Sequence, residues 1–93
     1  MYKRVLALIK ERMRDSRYVM TLHAEEEMDS DNLEIFDIEN AVLTGRIIER
    51  QKDRITGEWK YLLRGQTLSE TSMIVVLKLS STGKAAILTV YKE

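Results

Sequence analysis

The 93-residue chain carries 15 basic and 15 acidic side chains, 44% hydrophobic and 32% charged residues, and a net charge of zero, which is the profile of one soluble globular domain spanning residues 1–93. Such a length buries a small core without help from disulfides or metal. The absence of cysteine excludes disulfides, zinc thiolates and thiol catalysis, and a single histidine, His23, argues against a transition-metal site, so no metal or cofactor is expected.

Residues 3–14 alternate Val5, Leu6, Ile9 and Met13 with Lys3, Arg4, Lys10, Glu11, Arg12 and Arg14, the spacing of an amphipathic helix. The apolar run VLALI inside it is too short for a signal-peptide core, and no segment approaches the roughly 20 apolar residues of a membrane helix. A cytoplasmic protein is therefore expected. Tyr18–Leu22 is a short β-prone run and a candidate first strand.

A second helix is predicted from about His23, with Thr21 or Leu22 at its cap. Ala24 and Met28 share its buried side, and Glu25, Glu26 and Glu27 face water near the positive end of its dipole. Asp29-Ser30-Asp31-Asn32 breaks the pattern, and it lacks the glycine and terminal glutamate of a calcium loop. The third helix has Glu34 at the cap, Asp37 in the first turn and Leu33 and Ile38 as a hydrophobic staple. Its stripe is Ile35, Ile38, Ala41 and Val42, and Gly45 is read as a left-handed stop.

From Arg46 the period changes to that of strands. Ile47–Gln51 and Trp59–Arg64 read as a hairpin around Ile55–Glu58, Gly65–Ser72 as a polar connection, Met73–Leu79 as a central strand and Ala85–Tyr91 as the last strand. This is an α+β arrangement with N-terminal helices on one face of a four- to five-stranded antiparallel sheet. With the larger apolar sets turned to the helices, Lys60, Arg64, Lys78, Thr89 and Tyr91 project from the open face. In the last strand, Ala86, Leu88 and Val90 oppose Ile87, Thr89 and Tyr91, and both sides are apolar enough to be the covered one.

Charge is segregated. Residues 1–18 sum to +4, residues 19–45 to −8, residues 46–64 to +3 and residues 65–93 to +1. Either the blocks pair with one another, or they leave one basic and one acidic surface.

The motifs LHAEEEM, DIENAVLTGRIIER, KYLLRG and the terminal TVY, in this order from about Tyr18 to Tyr91, resemble the small proteins called domain of unknown function 4258. The matching residues are His23, Ala24, Met28, Asp37, Ile38, Ala41, Gly45, Tyr61, Gly65, Thr89 and Tyr91. The chain departs from that pattern at Glu25–Glu27 and Asp29, where many members carry an arginine, and at Glu34, where many have Ser or Thr. The resemblance implies a RelE-like fold within the RelE/MqsR-related, barnase-type ribonuclease toxins. It also implies a neighbouring antitoxin, of the kind with a YgiT-type (MqsA-like) zinc finger.

On that resemblance the expected activity is toxin-like, metal-independent endoribonuclease cleavage. Such chemistry needs an acid, a base and cations for the charged phosphorane. His23 serves as base or acid, Tyr91 donates a proton or hydrogen bond, and Arg64 and Lys78 supply charge. Lys60, Tyr61 and Thr89 are candidate RNA contacts, Tyr61 with Trp59 by stacking. Structural roles stand beside these: a helix-end role for His23, a core role for Tyr61 and Trp59, and a solvated face or a dock for a basic partner for the acidic run. The alternative function is a non-enzymatic protein-binding module of the same fold. A homodimer is a further option for so small a chain.

Overall fold

The computed structural model describes residues 2–93. The elements are α1 (Lys3–Arg14), β1 (Tyr18–Met20), α2 (Leu22–Ser30), α3 (Ile35–Thr44), β2 (Arg46–Lys52), β3 (Trp59–Gln66), β4 (Ser72–Leu79) and β5 (Ala85–Lys92). They form an α+β fold, with three helices packed on one five-stranded sheet ordered β1-β5-β4-β3-β2. No helix among the described residues is long and apolar enough to cross a membrane.

β2 to β5 are the antiparallel meander that the turn spacing predicts. β1 departs from it by running parallel to β5, pairing Tyr18 with Ala85 and Met20 with Ile87. The reason lies in the position of α2. Three residues of β1 cover only the first part of β5, and the nine-residue α2 then continues along the rest of that edge. A helix rises about 1.5 Å per residue and a strand about 3.3 Å, so α2 is matched to the five residues Leu88–Lys92. Only a parallel β1 delivers the chain to that position.

The core lies between the sheet and the helices. Ile9 and Met13 of α1, Ile38, Ala41 and Val42 of α3, and Leu63, Met73, Val75, Leu77, Ile87 and Val90 of the sheet are all at or near zero exposure. Of the stripe read for α3, Ile38, Ala41 and Val42 are buried and Ile35 is partly so, and the staple residues Leu33 and Ile38 are both buried. The Asp37 carboxylate accepts from the Glu34 backbone N–H at 2.9 Å and from the Leu68 N–H at 3.0 Å, tying the helix start to the β3–β4 loop.

Two glycines correct the sequence reading. Gly45 is extended (φ −92°, ψ 179°), not left-handed. Gly65 lies inside β3, not in a connection. Both are glycine because α3 sits directly on β3: a Cβ at Gly65 would lie 1.9 Å from the Ala41 carbonyl oxygen, and one at Gly45 2.5 Å from the same atom.

A β-bulge settles which side of β5 is covered. The pairing shifts between Val76 opposite Thr89 and Leu77 opposite Ile87, leaving Leu88 as the extra residue. Simple alternation fails there. Ile87 and Val90 both reach the core, and Thr89 and Tyr91 both stand on the open face.

Candidate functional site

The sheet edge beside α2 is sealed by side chains. Thr21 caps α2 by accepting from the Ala24 N–H at 3.1 Å, and its hydroxyl lies 3.1 Å from the Leu88 carbonyl oxygen, to which it donates. Farther along, the Glu27 carboxylate accepts from the Val90 N–H and the Asp31 carboxylate from the Lys92 N–H, each at 3.2 Å. Alternate residues of an edge strand present their N–H groups outward, so acids one helical turn apart can take the place of a partner strand. Glu27 is therefore not one of the solvated residues, although Glu25 and Glu26 are.

His23 stands at the head of this helix, with its side chain 67% exposed. Its Nε2 lies 3.2 Å from the same Glu27 oxygen that holds Val90. A cleft of about 380 Å³ opens beside it, lined by His23, Glu26, Glu27, Ser30, Asp31 and Tyr91. His23 and Tyr91, both expected to act in catalysis, are thus brought together. Three carboxylates come with them.

Tyr91 also begins a row across the open face. Its cross-strand partner is Ile74, Ile74 pairs with Arg64, and Arg64 pairs with Arg46. Arg64 grips Glu93 in a two-pronged bridge, Nε to Oε1 at 2.8 Å and the second prong at 2.9 Å, and Ser72 Oγ donates to the same carboxylate at 2.6 Å. Those bonds push the Arg64 guanidinium up and the Glu93 carboxyl below its ordinary range, and Tyr91 adds a smaller upward influence on Arg64. A second cleft, of about 430 Å³, lies here between Thr44, Arg46, Arg64, Gly65, Gln66 and Ser72.

The remaining expected residues lie elsewhere. Lys78 is four residues along β4 from Ile74, or about 13 Å at strand rise, and is bridged to Glu58 at 3.0 Å. Lys60 is at that same end, where both lysines help to hold the Asp53 carboxyl below its usual range, after the Thr56 and Ile55 backbone N–H groups. Thr89 lies between the two ends, opposite Val76. Tyr61 points to the helices, is 9% exposed and packs edge-on against Tyr2, so as an RNA contact it is corrected to a core residue. Trp59 faces the same side at the hairpin end, its ring covered by the Arg50 guanidinium at 4.0 Å.

Sequence reasoning missed Glu27, Arg46, Ser72 and Glu93. Only Glu27 left a signal, its four-residue spacing from His23. The ion pairs among the described residues are Arg12–Glu11, His23–Glu27, Arg64–Glu93 and Lys78–Glu58. None joins the acidic block to a basic one.

The family model described as Domain of unknown function (DUF4258) matches residues 20–92. No curated protein and no solved structure matches the chain.

Proposed function

The chain belongs to the DUF4258 family, and on that premise we propose that it is a toxin-like endoribonuclease that cleaves RNA without a metal. The observation that carries this reading is the meeting of His23 and Tyr91 in one cleft, at the head of a row that leads to Arg64. With Nε2 turned to Glu27, the imidazole offers Nδ1 to substrate, and the carboxylate stabilises the imidazolium that forms when it takes a proton from the ribose 2′-hydroxyl. The oxygen so activated attacks phosphorus and expels the 5′-oxygen, which Tyr91 protonates. Arg64, two strands from Tyr91, reaches toward the phosphorane charge. Lys78 and Lys60, at the other end of the face, hold the backbone farther along the strand. Leu62, Val76 and Thr89 line the path between.

The test is RNA incubated with the purified protein in the presence of a chelator, beside His23→Ala and Tyr91→Phe. The expected result is cleavage leaving 2′,3′-cyclic phosphate ends, slowed about 100-fold or more by His23→Ala. Equal rates for wild type and His23→Ala would remove His23 from the mechanism, and no cleavage by wild type would reject the reading.

A second reading rests on α2. Its outward carboxylates Glu25, Glu26 and Asp29 have no cationic partner among the described residues. That surface suits a basic partner protein, such as an antitoxin-like protein with a YgiT-type zinc finger. Recovery from source cells of a stoichiometric protein complex free of RNA supports this class. Recovery of a homodimer alone, by size in solution, rejects it.

A further inference from the structure

We propose that Arg64, Arg46 and Ser72 form a seat for a phosphate group, and that the Glu93 side chain is its built-in, displaceable occupant. The link to RNA rests on the ribonuclease reading; the seat itself does not.

Charge balance favours such a seat. Arg46 and Arg64 are direct cross-strand partners, an arrangement in which like charges repel. Only one carboxylate, that of Glu93, is bridged to either of them among the described residues. Two cationic side chains lining one cleft, with only Arg64 bridged to an acid, leave a positive surplus there, which suits an anion of higher charge or greater reach. Shape favours it as well. Arg64 presents its planar fork to both Glu93 oxygens, the geometry in which arginine takes either a carboxylate or a phosphate. Ser72 adds a hydroxyl donor to one of those oxygens. There is also space. The adjoining cleft of about 430 Å³ is bounded by both arginines, Gln66 and Ser72, so an incoming anion has room to approach before Glu93 departs.

Glu93 is suited to leaving. Its backbone stays fixed, because its N–H donates to the Ser72 carbonyl at 3.1 Å, so only the side chain has to rotate. Both partners are substantially exposed, 46% for Arg64 and 32% for Glu93, so the bridge competes with water and salt. The occupant therefore acts as a threshold: weak anions leave it in place, and a group that engages both arginines displaces it.

The experiment uses the full chain at low ionic strength. Inorganic phosphate and, separately, a single-stranded deoxyoligonucleotide are titrated into wild type, Glu93→Gln, Glu93→Gln/Arg64→Gln and Glu93→Gln/Arg46→Gln. Binding is followed by calorimetry and by the NMR signals of the arginine Nε–H groups and the Ser72 amide. If Glu93 fills the seat nine-tenths of the time, Glu93→Gln tightens phosphate binding about tenfold. Either arginine substitution then reverses the gain. Equal phosphate affinity in wild type and Glu93→Gln overturns the proposal, as does a gain that persists without either arginine. Should Arg64→Gln perturb the fold, as thermal melting would reveal, the Arg46→Gln arm decides alone. A gain for phosphate and not for the oligonucleotide keeps the seat and overturns its use for nucleic acid. The deoxyoligonucleotide cannot be cleaved through a 2′-hydroxyl, so failure here is distinguishable from failure of the ribonuclease reading.

Discussion

The two clefts flank the same row of the sheet; one is lined by engaged carboxylates and the other adjoins a single engaged one, and those acids are held in opposite ways. In the His23 cleft, Glu27 and Asp31 accept hydrogen bonds from backbone N–H groups of β5. A backbone donor cannot move aside, and leaving the part-buried Val90 N–H unpaired is costly. Beside the Arg64 cleft, Glu93 is held by two side chains, both able to turn away. Acidic residues are thus structural at one edge and exchangeable at the other. A surface charge map would treat them alike; the identity of the donor separates them.

The sharpest test of that contrast is Glu27→Ala. It leaves the Val90 N–H, on a residue with no exposed surface, without its acceptor, and the expected cost is about 1–3 kcal/mol in denaturant unfolding. Glu27→Gln keeps a carbonyl acceptor and should recover most of that stability, while removing the charge beside His23. Any cleavage activity should then fall in Glu27→Gln with stability nearly unchanged. If Glu27→Ala is as stable as wild type, the edge is sealed by something other than the acids. Thr21→Val probes the same edge with a smaller expected effect, about 1 kcal/mol, because the hydroxyl both caps α2 and donates to Leu88.

Much of the fold was legible because it is written in periodicity. The α1 and α3 stripes, the meander and the turns between its strands all come from apolar spacing and turn residues. The failures share one cause: they depend on contacts between distant segments. Gly65 looked like the start of a loop because nothing local reveals that Ala41 presses on it. The side of β5 facing the core could not be read, because a bulge at Leu88 resets the alternation only in relation to β4. The candidate site shows the same division. His23 and Tyr91 were identifiable by chemistry and do meet, but Lys78 was grouped with them only because strand alternation gives a face and not a position along it. Arg46 and Glu93 carry no local signature at all; they matter only through Arg64.

The smallest expected effect is electrostatic and concerns Glu93 alone. Hydrogen bonds from Arg64 and then Ser72 hold its carboxyl below the ordinary range, against a modest opposing effect of desolvation. The folded value is therefore lower than the unfolded one. The bridge contributes its full stability above the unfolded value, and that contribution is lost as pH falls through the folded value. A carboxyl-carbon NMR titration should place the Glu93 midpoint below the unperturbed glutamate value of about 4.3. Arg64→Gln should return it toward that value, and added salt should do so in part, since the pair is exposed. Acidification also separates a displaceable occupant from a plain surface bridge. Once Glu93 is protonated its grip on Arg64 weakens, while inorganic phosphate still carries a negative charge. Phosphate binding to wild type should then strengthen relative to Glu93→Gln as pH falls through the Glu93 midpoint. Parallel behaviour of the two proteins would mean that the carboxylate never stood in the anion's way.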